Sequence, residues 1–397
     1  GNCLRRVERD GAGITEWWEN RPEGFEQGWH IDTAPSGVGP LVIDLEVDGM
    51  GVTVLSDGSA ARFSVDGSAL SYGNLVAWDV AGRMQPAWIE ARDGGLRIVV
   101  DDVAAAYPLT IDPLLGADGW VVTGGQALAR MGTSISATGD FDGDGINDVL
   151  VGAHLYDNGQ DAEGAAFLYL GSASGPSLTA DWSAESDQVT AHFGYSVASA
   201  GDVNADGYDD VIVGAYLYDG GQTDEGAAFV YLGSASGPSA TADWSTESNQ
   251  DLAEMGTSVA GAGDVNGDGY DDVLVSVFKY SNVESEEGMT QLYYGSSSGL
   301  SASADWSFES DQAGARNGRW VSSAGDINGD GYDDIAIGGH LYDNGQSNEG
   351  RVFVFFGAED GPALEADWTA ESNQAGAQFG RFVAAVPDVN GDGYPEL

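Results

Sequence analysis

Asp140, Asp142, Asp144 and Asp148 put carboxylates at positions 1, 3, 5 and 9 of one nine-residue stretch, DFDGDGIND. Gly145 holds position 6, where a sharp turn needs a residue without a Cβ. A hard cation that takes many oxygen ligands suits this spacing, with the backbone carbonyl of Ile146 at position 7 adding to the set. The stretch returns as Asp202, Asn204, Asp206, Tyr208 and Asp210, then as Asp264, Asn266, Asp268, Tyr270 and Asp272. It returns again as Asp326, Asn328, Asp330, Tyr332 and Asp334, and as Asp388, Asn390, Asp392, Tyr394 and Glu396. Every step is 62 residues. Solvated turns also use Asp, Asn and Gly. Fixed spacing, and a polar ninth residue before an apolar run, favour Ca2+ instead, about one ion per loop. The metal is expected to be structural, because no His or second carboxylate cluster stands beside a loop to activate water.

The residues just after each loop decide its setting. An EF-hand loop has an acidic ligand at position 12, where this chain has Val151, Val213, Val275 and Ile337. The runs DVLVGA, DVIVGA, DVLVSV and DIAIGG are β-branched and apolar, so each loop leads into a strand. A β-roll of nine-residue turns is excluded by the longer period.

Around each loop the repeat spells out four strands. The first comes after a small motif: Met131-Gly132, Phe193-Gly194, Met255-Gly256, Asn317-Gly318 and Phe379-Gly380. The acidic loop leads to strand two, a longer loop such as LYDNGQDAEG to strand three (AAFLYLG), and a Gly/Ser turn to strand four around Trp182, Trp244, Trp306 or Trp368. Trp120 and Gln126 fall in the same register, as do Gln188, Gln250, Gln312 and Gln374. Four antiparallel strands in a unit of this length describe a propeller blade. The repeat Trp reads as blade packing, with a sugar-stacking platform as the alternative. Residues 117–397 give four blades and part of a fifth, an open arc at this period, with Trp120 expected to lie in a strand that closes a complete ring.

The motifs resemble the FG-GAP repeats of the integrin α-subunit propeller. Phe193-Gly194, the D-x-[DN]-x-D-G-x-x-D loops, and Gly152-Ala153 and Gly214-Ala215 carry the likeness. His154 and Tyr216 stand where that family often has Pro. The resemblance implies Ca2+ in the loops on one face of the disc and ligands on the opposite face. It implies a secreted or cell-surface adhesion module that meets protein or cell-surface ligands. A lectin-like propeller that binds glycans is the alternative, and a polysaccharide lyase a more distant one. Bacterial surface proteins carry similar arrays, and the segment from Glu19 to Leu114 looks like the β domain that precedes some of them.

Residues 1–116 read as that separate β-sandwich-like domain. Seven short strands, LVIDLEV (41–47) to YPLTI (107–111), are separated by Asp-Gly or Gly-rich turns. Residues 1–35 show no clear periodicity, and Pro113 to Asp118 read as a linker.

Composition narrows the partners. Lys and Arg total 14 against 64 Asp and Glu, a formal net charge of −50. Lys279 is the only lysine, and no basic patch is legible to displace counterions from nucleic acid. No run of apolar residues is long enough to span a membrane. No export signal is visible; Cys3, the only cysteine, reads as an incidental thiol. No catalytic constellation is legible, and His154 and His340 occupy the aromatic position of Tyr216 and Phe278. The third unit departs from the others at SVFKYSNVESEEGM (276–289), which reads as drift or as a specialised loop.

Overall fold

Alternating or continuous apolar runs between glycine turns give strands, and in the computed structural model every regular element among the described residues is a strand. The structure describes residues 6–397 apart from 12, 22–23, 37–38, 56–57, 66–67, 118–119, 173–174 and 178. Cys3, Asp118 and several of the expected turn residues therefore lie outside the described residues. The chain divides into two compact units, 1–121 and 122–397.

The first unit holds β1 (Arg6–Gly11), β2 (Ile14–Arg21), β3 (Gly24–Ile31), β4 (Leu41–Glu46), β5 (Gly51–Val54), β6 (Ala61–Val65), β7 (Ser68–Asp79), β8 (Ala87–Arg92), β9 (Gly95–Val100) and β10 (Leu109–Ala117). Seven strands form one antiparallel sheet in the order β1-β2-β3-β10-β7-β6-β5, and β4-β9-β8 form a second. One core joins them: Trp29, Ile31, Phe63, Tyr72, Leu109 and Ile111 from the first sheet, with Leu41, Ile89, Leu96 and Ile98 from the second. Sequence reasoning missed β1, β2 and β3. Their inward face is disguised: Gln27 is buried and bonded to the Tyr72 hydroxyl at 2.6 Å and to Glu16 at 2.7 Å. Trp17 lies flat on Gly28, where a Cβ would come 2.0 Å from the indole. The linker expectation also fails at Pro113, which sits inside β10. There the register with β7 shifts between Asp112 and Leu114, a bulge that tolerates a residue without an N–H.

The second unit holds β11 (Ile135–Ser136), β12 (Val149–Ala153), β13 (Ala165–Tyr169), β14 (Trp182–Glu185), β15 (Phe193–Gly201), β16 (Asp210–Ala215), β17 (Ala227–Tyr231), β18 (Trp244–Glu247), β19 (Met255–Gly263), β20 (Asp272–Val277), β21 (Met289–Tyr293), β22 (Trp306–Glu309), β23 (Trp320–Gly325), β24 (Asp334–Gly339), β25 (Arg351–Phe355) and β26 (Trp368–Glu371). Taken four at a time they form four antiparallel sheets, each in sequence order. These are the blades of an open propeller. Trp120, expected in a closing strand, lies in no strand.

Each core sits between two blades. Val211, Val213 and Ala215 of β16 face the first blade, while Ile212 between them faces the third. Val273, Val275 and Val277 of β20 face the second blade and Leu274 the fourth. Burial on both faces explains why strand two is a continuous apolar run.

The repeated residues are fasteners between blades. A Cβ at Gly214 would meet the Gly256 carbonyl oxygen at 2.0 Å, and Gly152 and Gly338 meet Gly194 and Gly380 in the same way. The third unit breaks this pattern: Ser276 replaces the glycine, its hydroxyl taking the Ser258 N–H at 2.9 Å, and the buried Asn317 replaces the Met or Phe that opens the other motifs. Gln188 caps the next blade's loop with two bonds, to Asp219 N at 2.7 Å and Asp219 O at 3.0 Å. Gln126, Gln250 and Gln312 do the same at Asp157, Ser281 and Asp343. The Trp182 indole donates to Ser239 O at 2.8 Å and stands edge-on to Tyr231, 5.0 Å away, and Trp244 and Trp306 repeat the contact. Those three rings are wedges between blades; Trp368 is 50% exposed.

Candidate metal centres

The acidic loops join strands one and two at one end of every blade. Each folds around its first residue. Asp264 Oδ1 accepts the N–H of Asp268 at 3.0 Å and Oδ2 that of Gly269 at 2.9 Å. Asp140, Asp202, Asp326 and Asp388 do the same in their loops. Gly145 and its equivalents have positive φ, 87° at Gly145, as the turn at position 6 demands.

The ninth residue latches the loop to its own blade. Asp272 accepts the Val265 N–H at 3.0 Å and the N–H of Gly295, just past strand three, at 2.9 Å. Asp148, Asp210 and Asp334 are bonded alike, and all four side chains are buried. Burial pushes Asp210 up to about 7, Asp272 to about 8 and Asp334 to about 6, with the charges of their own loops adding to the shift. Asp148 is raised for the same reasons.

The donors gather unequally. Asp140, Asp142 and Asp148 bring oxygens within 4.8 Å of one another, and so do Asp388, Asp392 and Glu396. Asp144 is outside the first group; its Oδ1 takes the Ile146 N–H at 2.8 Å. In the middle loops the position-3 amide turns its nitrogen to the position-5 carboxylate: Asn204 to Asp206 at 3.0 Å, Asn266 to Asp268 at 3.1 Å and Asn328 to Asp330 at 2.9 Å. Glu396 closes the fifth loop by pairing with Val386 and accepting the Val389 N–H, and its Oε1 is buried without a partner. A hard cation fits this donor set. The loops offer oxygen ligands and carboxylates buried without a basic side chain, which is the setting a bound cation compensates.

Two features tie each loop to the next and were not legible in the sequence. The position-8 carboxylate reaches back one blade: Asp209 accepts the Asp140 N–H at 2.8 Å, Asp271 that of Asp202 at 2.8 Å and Asp333 that of Asp264 at 3.0 Å. The position-7 tyrosine covers position 4 of the previous loop, so a Cβ at Gly143 would meet Tyr208 at 2.6 Å and one at Gly267 would meet Tyr332 at 2.5 Å. Hydrogen-bond partners 69 residues apart leave no local pattern to read.

A different cluster forms at the other end of the strands. β15 begins where β16 ends, Phe193 opposite Ala215, so His192 and Tyr216 lie together at the end away from the acidic loop. His192 Nδ1 is 2.9 Å from the Tyr216 hydroxyl. Tyr195 packs on Tyr216 at 4.4 Å, and His154 stands edge-on to Tyr195 at 5.2 Å and to His192 at 5.7 Å. Phe278 carries Arg316 and Arg319 on its ring at 5.8 and 5.6 Å and stacks on His340. Lys279 and Arg316 pair with Glu254 and Glu286. Among the described residues, Arg130, Arg319 and Arg381 at this end have no carboxylate partner, nor does Arg351 of β25, which donates to Thr369 and lies over Tyr342 and Phe353. Sequence reasoning placed His154, Tyr216, Phe278 and His340 at one aromatic position but had no signal for the arginines around them.

Residues 131–169, 193–231, 255–278 and 317–355 match the FG-GAP repeat. These are FG-GAP repeats of the integrin-α-like propeller. The FG-GAP chain is 33% identical over 221 residues to integrin alpha pat-2 of Caenorhabditis briggsae, 51% of this chain and 17% of that protein. It is 34% identical over 176 residues to integrin alpha-PS2 of Drosophila melanogaster, 41% and 12% of the two chains. It is also 34% identical over 168 residues to integrin alpha-5 of Xenopus laevis, 39% and 15%. The FG-GAP chain thus spans less than a fifth of the length of these relatives. No helix among its described residues is long and apolar enough to cross a membrane.

Proposed function

We propose that this FG-GAP propeller is a recognition module of the adhesion type, secreted or at a cell surface. Ca2+ in its acidic loops ties the blades together. The opposite face grips an anionic group carried by a protein or a glycan. The carrying observation is the location of the unpaired arginines. In a chain with a net charge of −50, Arg130 lies near His154, Arg319 near Tyr216 and His340, and Arg381 near His340, with Asp224 and Glu254 beside Tyr216. An anion there gains charge-assisted hydrogen bonds from arginine and a partly desolvated aromatic floor. Screening over about 8 Å at physiological salt weakens the field of the more distant acids, while Asp224 and Glu254 stay close to the patch.

Binding to immobilised polygalacturonate and to an acidic peptide, against a neutral glucan and a neutral peptide, tests the reading. Retention of the acidic probes and a roughly tenfold or greater loss in Arg319→Ala are expected. Equal retention of neutral and acidic probes would refute it. The Ca2+ part has its own measurement: excess chelator should lower the melting temperature, since an ion that binds only the folded chain stabilises it by mass action. An unchanged melt refutes that part.

The His192–Tyr216 contact favours one second reading. An acid/base pair beside Arg319 suits proton abstraction next to a carboxylate, as in β-elimination from a polyuronate. Release of unsaturated product from polygalacturonate would establish it.

A further inference from the structure

One feature of the third blade stands apart from the five acidic loops. Glu287, Glu309 and Asp311 offer oxygens within 4.8 Å of one another. Glu287 ends the loop between β20 and β21 and is fully buried. Its Oε1 accepts the Asn282 N–H at 2.8 Å, while its Oε2 is buried with no partner. A carboxylate oxygen held away from water without a donor is costly unless a cation meets it.

The same framework in the other blades shows what changed. Glu163 and Glu349 also keep a bare Oε2, but there an asparagine occupies the neighbouring glutamate. Asn158 donates its amide to both oxygens of Glu185, at 2.8 and 3.0 Å, and Asn344 to both of Glu371, at 3.0 and 2.8 Å. In the second blade the Gln222 amide faces Glu225, and with its nitrogen turned toward the carboxylate it would donate at 2.7 and 3.3 Å. In the third blade Asn282 reaches a single oxygen of Glu309, at 3.3 Å. Asp311 then adds a carboxylate where the second and fourth blades have Asn249 and Asn373. The first blade has Asp187 at that position but keeps its amide clamp on Glu185. The nearby Arg316 is engaged by Glu286. These changes fall on and beside the divergent loop 276–289.

We propose that Glu287, Glu309 and Asp311 form a further cation site, separate from the acidic loops and at the opposite end of the blade. Three carboxylates without nitrogen or sulfur donors select a hard divalent cation of the Ca2+ class. The loop that lost its amide clamp is then fixed by the ion, on the face that carries the arginine and histidine cluster.

Crystals of the full chain soaked in Tb3+, a Ca2+ substitute, should show an anomalous peak within bonding distance of all three carboxylates. A crystal with peaks in the acidic loops and none here would overturn the proposal. In solution, equilibrium dialysis with Ca2+ should count one ion fewer per chain in Asp311→Asn, whose exposed side chain makes a folding failure remote from its effect. Asp268→Ala should remove a different ion, and the double variant two. A wild-type count in both Asp311→Asn and Glu309→Gln would overturn it, whatever Asp268→Ala does. A loss in Asp311→Asn with none in Asp268→Ala would support this site and count against the acidic loop.

Discussion

Acid should unlock the face that carries His154 and His340. Both rings are buried, at 6% and 8% exposure, and Nδ1 of each has no partner. Burial holds His154 down to about 4, with the positive charges of His192 and Arg130 adding to the effect. Burial does the same for His340, again to about 4, joined by Arg319, Arg381 and Arg316. The folded state therefore keeps both rings neutral where the unfolded chain, at about 6.5, already protonates them. Between those values the unfolded state binds more protons, so stability falls as pH drops. At about pH 4.5 the penalty is about 2 kcal/mol for each ring. The repeat supplies the control, since Tyr216 and Phe278 hold the same position. His154→Tyr with His340→Phe should match the wild type within a few degrees near pH 7.5 and melt about 8 °C higher near pH 4.5. Differential scanning calorimetry of both proteins in excess Ca2+ cancels the carboxylates they share. A difference between them that stays flat across this range would refute the reasoning.

The acidic loops and the blade fasteners give three further expected outcomes. Ala205 sits at position 4 of the second loop with φ 56°, where the other loops have glycine, so Ala205→Gly should gain about 1 kcal/mol in a denaturant melt. Gly214→Ala forces a Cβ to 2.0 Å from a neighbouring backbone carbonyl and should cost about 3 kcal/mol or more, read as a fall in melting temperature. Asp271→Ala strips an acceptor from Asp202 of the preceding loop. It should cost about 1 kcal/mol and weaken Ca2+ at the Asp202 loop more than at its own, as calorimetric titration would show.

Legibility tracked distance along the chain. Strands two and three, the acidic loops and the Trp register were visible because each rests on adjacent residues repeated at one period. The inward face of β2 and β3 was not, because Gln27 and Gly28 occupy it and only the facing strand makes them sensible core residues. Pro113 looked like a linker because a proline inside a central strand requires a bulge that sequence does not announce. Gln188 and Asp209 were visible as repeats or acids, but their work lies 31 and 69 residues away. The loop 276–289 stood out as divergent, yet its meaning depends on Glu309 and Asp311, which look like ordinary residues in and after strand four.

The blade fasteners also bear on how such a gene can change. Gly214 meets Gly256, Gln188 meets Asp219 and Asp271 meets Asp202 at offsets that recur from blade to blade. A repeat duplicated or deleted in frame by unequal crossing over therefore presents its neighbours with the partners they already had. Array length can drift without any new interface being invented. One junction resists this exchange. Ser276 stands where the other blades have the close-approach glycine, and a Cβ built at Gly318, beside Asn317, would meet it at 3.2 Å, so a recombination point between Ser276 and Asn317 would set a serine side chain against a motif fitted to glycine. Inheritance should treat those two residues as one allele.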